Sequence, residues 1–298
     1  MNGRIPQPTL AAIINECRGR VDLLDFALHP VAPGIEQVTG FFPDPFLALQ
    51  TTRQGGVSEG AFGSFNLGDH VGDRPERVAA NRARLVQHCA APVAWLSQVH
   101  GTLVMDLDTR GASDADRQLA EGSPCRADAS ATALPGRACT VMTADCLPVL
   151  VARPSTGQCA AAHAGWRGLL DGVIESTLDH MARVRSSQSG DDWYIWLGPA
   201  IGEQAFEVGA EVRDAFIKRA SEASGAFIAA KNRPGKWWAS LAGLGLQRVA
   251  AWGAAAKAHG ARVRVAVSRE CVFSDAQRYF SYRRDGVTGR MASLIVRI

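Results

Sequence analysis

The sequence predicts an α+β protein built on a mixed β-sheet and folded as a single domain. Three observations carry that expectation. Between residues 93 and 162, five apolar runs of strand length follow one another with no helical pattern between them. Residues 167–184 and 240–258 carry apolar side chains at helical spacing. Strands and helices are otherwise interspersed irregularly, with no repeat and no low-complexity linker, unlike the strict strand–helix alternation of a doubly wound sheet.

Taken in order, residues 1–45 are proline-rich and poorly patterned. They are expected to form an N-terminal extension, a short helix over 10–17 and then an irregular approach, ahead of one domain over 46–298. An apolar run with β-branched residues predicts a strand over 46–52. A loop with six glycines over 55–72 follows, where backbone can come close to a ligand or to another segment. Pro75 suits the first turn of a helix over 74–90, with Asp73 as its expected cap. Strands are expected over 93–99, 103–107, 138–142, 147–152 and 158–162. Leu170, Val173, Ile174, Thr177, Leu178 and Met181 then share one face of a long helix over 167–184. A buried strand over 193–197, helices near 208–220 and 240–258, and strands over 262–267 and 291–297 complete the chain.

Composition narrows the function. With 298 residues, 47% hydrophobic and 20% charged, the chain can bury a sizeable core and is not of the disordered class. A net charge of +3 is too small to suggest nucleic-acid binding by bulk electrostatics. No run of about 18 apolar residues is present, so no transmembrane helix is expected. Seven cysteines, an odd number with no Cys-x-x-Cys pair, and a polar start without an apolar signal region point to a reduced, cytoplasmic protein.

Several motifs fail on context. Gly56-Val57-Ser58-Glu59-Gly60 has the Gly-x-Ser-x-Gly spacing of a nucleophile elbow, but more glycine-rich loop follows it instead of a helix. Gly235-Lys236 lacks the spacing of a phosphate loop. The zinc-deaminase pattern is absent, since Pro124-Cys125 is followed by Arg-Ala-Asp and no second cysteine.

Three segments share a different character. Ser97-Gln98-Val99-His100-Gly101 ends a strand at a glycine. Thr143-Ala144-Asp145-Cys146-Leu147-Pro148 interrupts two apolar strands with a polar pair. Ala162-His163-Ala164-Gly165-Trp166-Arg167-Gly168 ends a strand and opens a helix. His100, Cys146 and His163 make a two-His, one-Cys set, a zinc pattern that leaves a fourth position open. The alternatives are a buried core cysteine and two hydrogen-bonded histidines, because separations of 46 and 17 residues carry no local metal signature. Asp145 is either a turn residue or a carboxylate serving the site as orienting group or general base. Arg167 either holds an anion with the helix N-terminus or is a solvated helix arginine.

The ordered motifs QVHG, TADCLPV, AAHAGWRG, LGPAIG with FEVG, and FSYRRDG with GRMA resemble the laccase-domain, or polyphenol-oxidase, family, also called YfiH-type. The glycine loop TTRQGGVS to FNLGDHVGD matches as well, so the resemblance runs from about Thr51 to the C-terminus. It implies an α+β fold of layered mixed sheets flanked by helices. It implies His100, Cys146 and His163 as metal ligands, usually for zinc, with copper claimed historically. It further implies phosphorolysis of adenosine, inosine and methylthioadenosine, deamination of adenosine, and in some bacterial members an editing role on peptidoglycan precursors. Two departures affect the expected substrate wall: Glu203-Gln204-Ala205 after LGPAIG, and Ser268-Arg269-Glu270-Cys271 near the C-terminus.

On this reading Cys146, His163 and Asp145 are the catalytic candidates. Arg53 and Arg167 are candidates for phosphate, with the amides of the glycine loop. Asn66 is a candidate for the sugar or base, with holding the loop as its alternative, and His70 is a pocket candidate or a structural loop residue. Tyr282, Arg283 and Arg284 line the pocket, or an ion pair with Asp285 holds them. The expected partners are a small nucleoside and phosphate, with no nucleic acid and no membrane; the oligomeric state is left open. A multicopper oxidase needs about ten histidines, largely in His-x-His pairs; the seven here form none. A single-copper oxidase, a metal-free cysteine amidase or hydrolase acting on a peptidoglycan precursor, and a non-catalytic binding module are the other classes.

Overall fold

Every residue of the two runs Leu147–Arg153 and Gln158–Ala164 is buried. An antiparallel pair covered on both faces reads as a continuous apolar stretch without alternation, and the architecture explains why both faces are covered. The computed structural model describes residues 10–108, 125–184 and 191–298. It begins with α1 (Leu10–Cys17), β1 (Asp22–Leu23), β2 (Ala27–Ala32), β3 (Ile35–Thr39) and β4 (Phe46–Thr51). After the glycine loop come α2 (Pro75–Cys89), β5 (Val93–Ala94), β6 (Leu96–Ser97), β7 (Val104–Asp106), β8 (Cys125–Arg126) and β9 (Ala129–Thr132). The long strands β10 (Ala138–Thr143), β11 (Leu147–Arg153) and β12 (Gln158–Ala164) lead into α3 (Trp166–Asp171) and α4 (Val173–Ala182). Then follow β13 (Asp191–Leu197), β14 (Glu207–Gly209), α5 (Ala210–Arg219), β15 (Phe227–Ala229) and β16 (Lys236–Ala239). The chain closes with α6 (Leu241–Ala258), β17 (Ala261–Val267), α7 (Tyr282–Asp285) and β18 (Met291–Arg297).

Two mixed sheets dominate. The first has seven strands in the order β1-β17-β13-β11-β12-β9-β7, and the second six in the order β2-β3-β4-β18-β10-β5. The alternation of strand side chains assigns the layers. Leu147, Val149 and Val151 of β11 face a core shared with Ile13 of α1, Leu178 of α4 and Val249 of α6. Leu150 and Ala152 face the opposite way, onto Cys139 and Val141 of β10 and Ile295 of β18. The outer face of the six-stranded sheet packs Leu49, Leu294 and Val296 against Leu85 and Cys89 of α2. The order is therefore helices, seven-stranded sheet, six-stranded sheet, helix. The α+β expectation holds, and no helix of the described residues is long and apolar enough to cross a membrane.

The local differences have physical causes. The helix expected over 167–184 is two helices, because Gly172 takes φ +103° and turns the chain between α3 and α4. The strand expected over 93–99 breaks around Trp95 into β5 and β6, which join different sheets. Val208 lies in β14, and the helix starts at Ala210. Asp73 does not cap α2; its carboxylate accepts from Ser58 Oγ at 2.6 Å and Asn66 Nδ2 at 3.0 Å and ties the glycine loop together. The segment read as irregular after α1 supplies β1 to the first sheet and β2 and β3 to the second. Residues 1–9 lie outside the described residues.

Candidate metal centre

The three polar strand ends meet at one place. His163 is the penultimate residue of strand β12, Cys146 lies in the short connection between β10 and β11, and His100 just after β6. The possible ligand atoms of His100, Cys146 and His163 all lie within 4.8 Å of one another. Cys146 Sγ is 3.7 Å from His100 Nε2, and the two imidazoles meet edge to face at 4.8 Å between centroids. His163 is buried, Cys146 is partly covered and His100 is exposed, so the cluster opens to solvent on one side.

A carboxylate that carries no motif organises the group. Asp128, fully buried between β8 and β9, places Oδ1 2.9 Å from His163 Nδ1. Its oxygens also accept the backbone N–H groups of Val99, His100 and Gly101 at 3.1, 2.9 and 2.7 Å. Its own carbonyl accepts from His163 N at 2.7 Å. Three converging amides hold the chain at His100, which takes φ +61°. Burial opposes the charge on Asp128, and the hydrogen bonds from His163 and from the Gly101 and Val99 amides outweigh it, keeping its carboxyl below the usual range. Gln98 binds the neighbouring strand: its Nε2 donates to Met142 O at 2.8 Å and its Oε1 accepts from Met142 N at 2.7 Å. The His100 and Cys146 segments are thereby fixed to one another.

Asp145 shapes the turn that presents Cys146. It adopts φ +99°, an unusual region for a residue with a Cβ. Its carboxylate accepts from Ser281 Oγ and Arg283 N, both at 2.6 Å, and its carbonyl accepts from Ile201 N at 2.9 Å. Burial raises its pKa despite these donors. Glycine makes the remaining room. A Cβ at Gly165 would lie 2.5 Å from His100 Cδ2 and 3.1 Å from Cys146 Sγ, and one at Gly168 would lie 2.7 Å from Gly101 O. The AAHAGWRG motif thus needs glycine at two positions for steric reasons.

The electrostatics ready the thiol as a ligand, while His163 must release a proton to bind an ion. Burial raises the Cys146 thiol, but the charge of His163 and the hydrogen bonds of both imidazoles overcome it and bring it down to about 6. Burial disfavours a charged His163, and the Cys146 thiolate with the Asp128 carboxylate overcomes that, raising it to about 9. Tetrahedral zinc with sulfur at about 2.3 Å and nitrogen at about 2.05 Å separates those two atoms by about 3.6 Å. The 3.7 Å between Cys146 Sγ and His100 Nε2 fits that spacing. Asp128 occupies Nδ1 of His163 and leaves Nε2 for the ion, the orienting contact that metal-binding histidines usually have. The donor set therefore fits a metal ion.

The other sequence candidates fall in different places. Arg53 donates Nε to Gly63 O at 3.0 Å and Nη1 to Ala276 O at 2.9 Å, and its guanidinium lies over the Phe280 ring. Asn66 is fully buried; Nδ2 donates to Gly68 O and to Asp73, while Oδ1 accepts from Gly68 N and Arg290 N, each at 2.9 Å. His70 is exposed beside Asp69, whose carboxyl is held at about 2, chiefly by the His70 hydrogen bond, with help from the Arg82 charge. Arg167 is exposed over the Trp166 ring, on a helix of only six residues. Tyr282 is exposed, and Arg284 pairs with Asp285 at 2.8 Å. Ser58 is buried and hydrogen-bonded to Asp73 and Asn81, as a loop strut. Asp128 escaped sequence reasoning; its only signal was a lone acid among alanines in Arg126-Ala127-Asp128-Ala129-Ser130.

The family model described as multi-copper polyphenol oxidoreductase laccase matches residues 47–298. The chain belongs to this family. Among laccase-domain relatives, a purine nucleoside phosphorylase of Pseudomonas aeruginosa is 47% identical over 248 residues, covering 83% of this chain and 92% of that protein. Purine nucleoside phosphorylase YfiH of Escherichia coli K12 is 43% identical over 255 residues, covering 85% and 94%. The crystal structure of Neisseria meningitidis protein NMB0706 superposes with a TM-score of 0.72 at 40% identity, covering 88% of this chain and 98% of that one. Hypothetical protein YfiH of Bacillus licheniformis gives 0.78 at 28% identity, covering 90% and 98%.

Proposed function

We propose that the protein is a metal-dependent purine nucleoside phosphorylase of the laccase-domain family. In this reading it acts on adenosine, inosine and methylthioadenosine, and it also deaminates adenosine. The observation that carries the reading is the open His100–Cys146–His163 cluster braced by Asp128, together with relatives that bear the phosphorylase name over almost their whole length. His100, Cys146 and His163 would hold the ion, with zinc favoured by a mixed sulfur and nitrogen donor set. A metal bound there would supply Lewis acidity and activate water near neutral pH, the chemistry that deamination needs.

In phosphorolysis a phosphate oxygen bonds to C1′ of the ribose as the bond from C1′ to the base nitrogen breaks. The bonding pair leaves on the base, and the proton carried by hydrogen phosphate ends there. The chain's own residues supply the surroundings. Asp128 keeps His163 in one ring orientation. Asp145 holds the turn that aims Cys146 and is half-buried beside it, where its raised pKa suits it to share a proton. Arg53 and Asn66 act by shaping the glycine loop, while His70 and Arg167, both exposed, are left to meet the substrate.

One observation favours a second reading. Asp128, His163 and Cys146 form a carboxylate–imidazole–thiol chain, which is also the arrangement of a cysteine hydrolase. Cys146 would then be the nucleophile of an amidase acting on a peptidoglycan precursor. Assay of purified protein for phosphate-dependent release of hypoxanthine from inosine, beside Cys146→Ala and His163→Ala, tests the first reading. Loss of turnover in both variants is expected, and full activity in both overturns it.

A further inference from the structure

Phosphorolysis requires a cation for the incoming dianion, and most arginines near the metal centre are already committed. Arg53 is spent on two loop carbonyls. Arg82 pairs with Asp69 at 3.2 Å and lies over Trp95. Arg284 uses Nε, Nη1 and Nη2 on Asp285 and on three carbonyls. Arg283 is exposed and donates to Glu207 O.

Arg290, in the GRMA segment just before β18, differs. Nη1 donates to Thr288 O and Gly289 O, both at 3.0 Å, which fixes the plane of the guanidinium. Among the described residues, Nε and Nη2 have no hydrogen-bond partner and no carboxylate lies within ion-pair distance. Met291 pairs with Thr143 across the β10–β18 ladder, which brings Arg290, the residue before it, to the turn that carries Asp145 and Cys146. Burial lowers the pKa of this guanidinium, and the charges of Cys146, Asp145 and Tyr282 oppose that effect. The Tyr282 ring lies 6.0 Å from it. Two features of the glycine loop serve its placement. Asn66 Oδ1 accepts Arg290 N at 2.9 Å, and a Cβ at Gly68 would lie 2.8 Å from Arg290 Cγ. The loop and the C-terminal motif, more than two hundred positions apart, together hold one arginine at the turn that carries Cys146.

We propose that Arg290 is the oxyanion-binding residue of the metal centre and receives inorganic phosphate through Nε and Nη2. This rests on the phosphorylase reading above. A planar guanidinium with two adjacent free donors suits bidentate contact with a phosphate. Its position at the turn of Cys146 puts that phosphate next to the proposed metal ligands.

The test measures phosphate and nucleoside dependence separately in wild type, Arg290→Gln and Arg290→Lys, with metal content counted in each. Loss of a charge-assisted contact predicts a phosphate KM raised about 10- to 100-fold in Arg290→Gln. The inosine KM should stay within about 2-fold, the metal content should not change, and Arg290→Lys should recover part of the loss. An unchanged phosphate KM overturns the proposal. So does a joint rise of both KM values with loss of metal, because that is the mark of a structural role. Line broadening of the inorganic phosphate 31P signal provides a readout independent of turnover. If wild type shows no phosphorolysis yet broadens the signal and Arg290→Gln does not, the anion site stands and the phosphorylase reading fails. If wild type does not broaden it, the anion site fails.

Discussion

Asp128 Oδ1 lies 2.9 Å from His163 Nδ1 in a fully buried contact, and the same carboxylate gathers the amides that set His100. One side chain therefore orients two of the three proposed ligands. Asp128→Asn keeps the shape but brings an amide donor toward N–H groups that need an acceptor. It is expected to weaken metal affinity about 10- to 100-fold and to lower stability by roughly 1–3 kcal/mol. Competition with a chromophoric chelator and thermal melting measure the two effects. Unchanged affinity would show that Asp128 serves the fold alone.

Gly165 packs directly against the cluster. Alanine there meets His100 Cδ2 at 2.5 Å and Cys146 Sγ at 3.1 Å, so the His100 ring must move. Gly165→Ala should lower metal content below one ion per chain and cost about 1–3 kcal/mol, the usual range for overpacking a tight site. Elemental analysis and a melting curve check it. Full occupancy with unchanged stability would contradict the packing described.

Metal uptake needs unprotonated ligands. In the metal-free protein His163 is raised to about 9 and Cys146 lowered to about 6. As pH falls below about 9, His163 gains a proton and apparent affinity should drop about tenfold per pH unit. Below about 6 the Cys146 thiolate also protonates and the slope should steepen. Titrations with zinc across this range give the slope, and a flat profile between the two values would contradict the thiolate–imidazolium pair.

Much of this was legible in the chain. The strand over 291–297 and the helix over 10–17 appear with the expected bounds, because each ends at a turn or a change of pattern. The site motifs were legible because a polar residue at the end of an apolar strand is unusual. Less visible was what depends on pairing across long separations. Asp128 meets His163 only through the register of β9 against β12, where Ala129 opposes Ala162. Arg290 meets Asn66 across the whole chain. The strands in residues 22–39 have weak patterns because β2 is mostly exposed, so alternation does not mark them. The split of the helix at Gly172 depends on a backbone angle that residue spacing does not reveal.

The most direct test of the account is metal removal and return on the wild-type protein. Phosphate-dependent release of hypoxanthine from inosine would be followed while metal content is counted in the same samples. The account predicts one ion per chain, a rate that falls at least about a hundredfold when a strong chelator strips it, and recovery when zinc is restored. A full rate in metal-free protein that is lost on alkylation of Cys146 would contradict it and assign the reaction to the thiol.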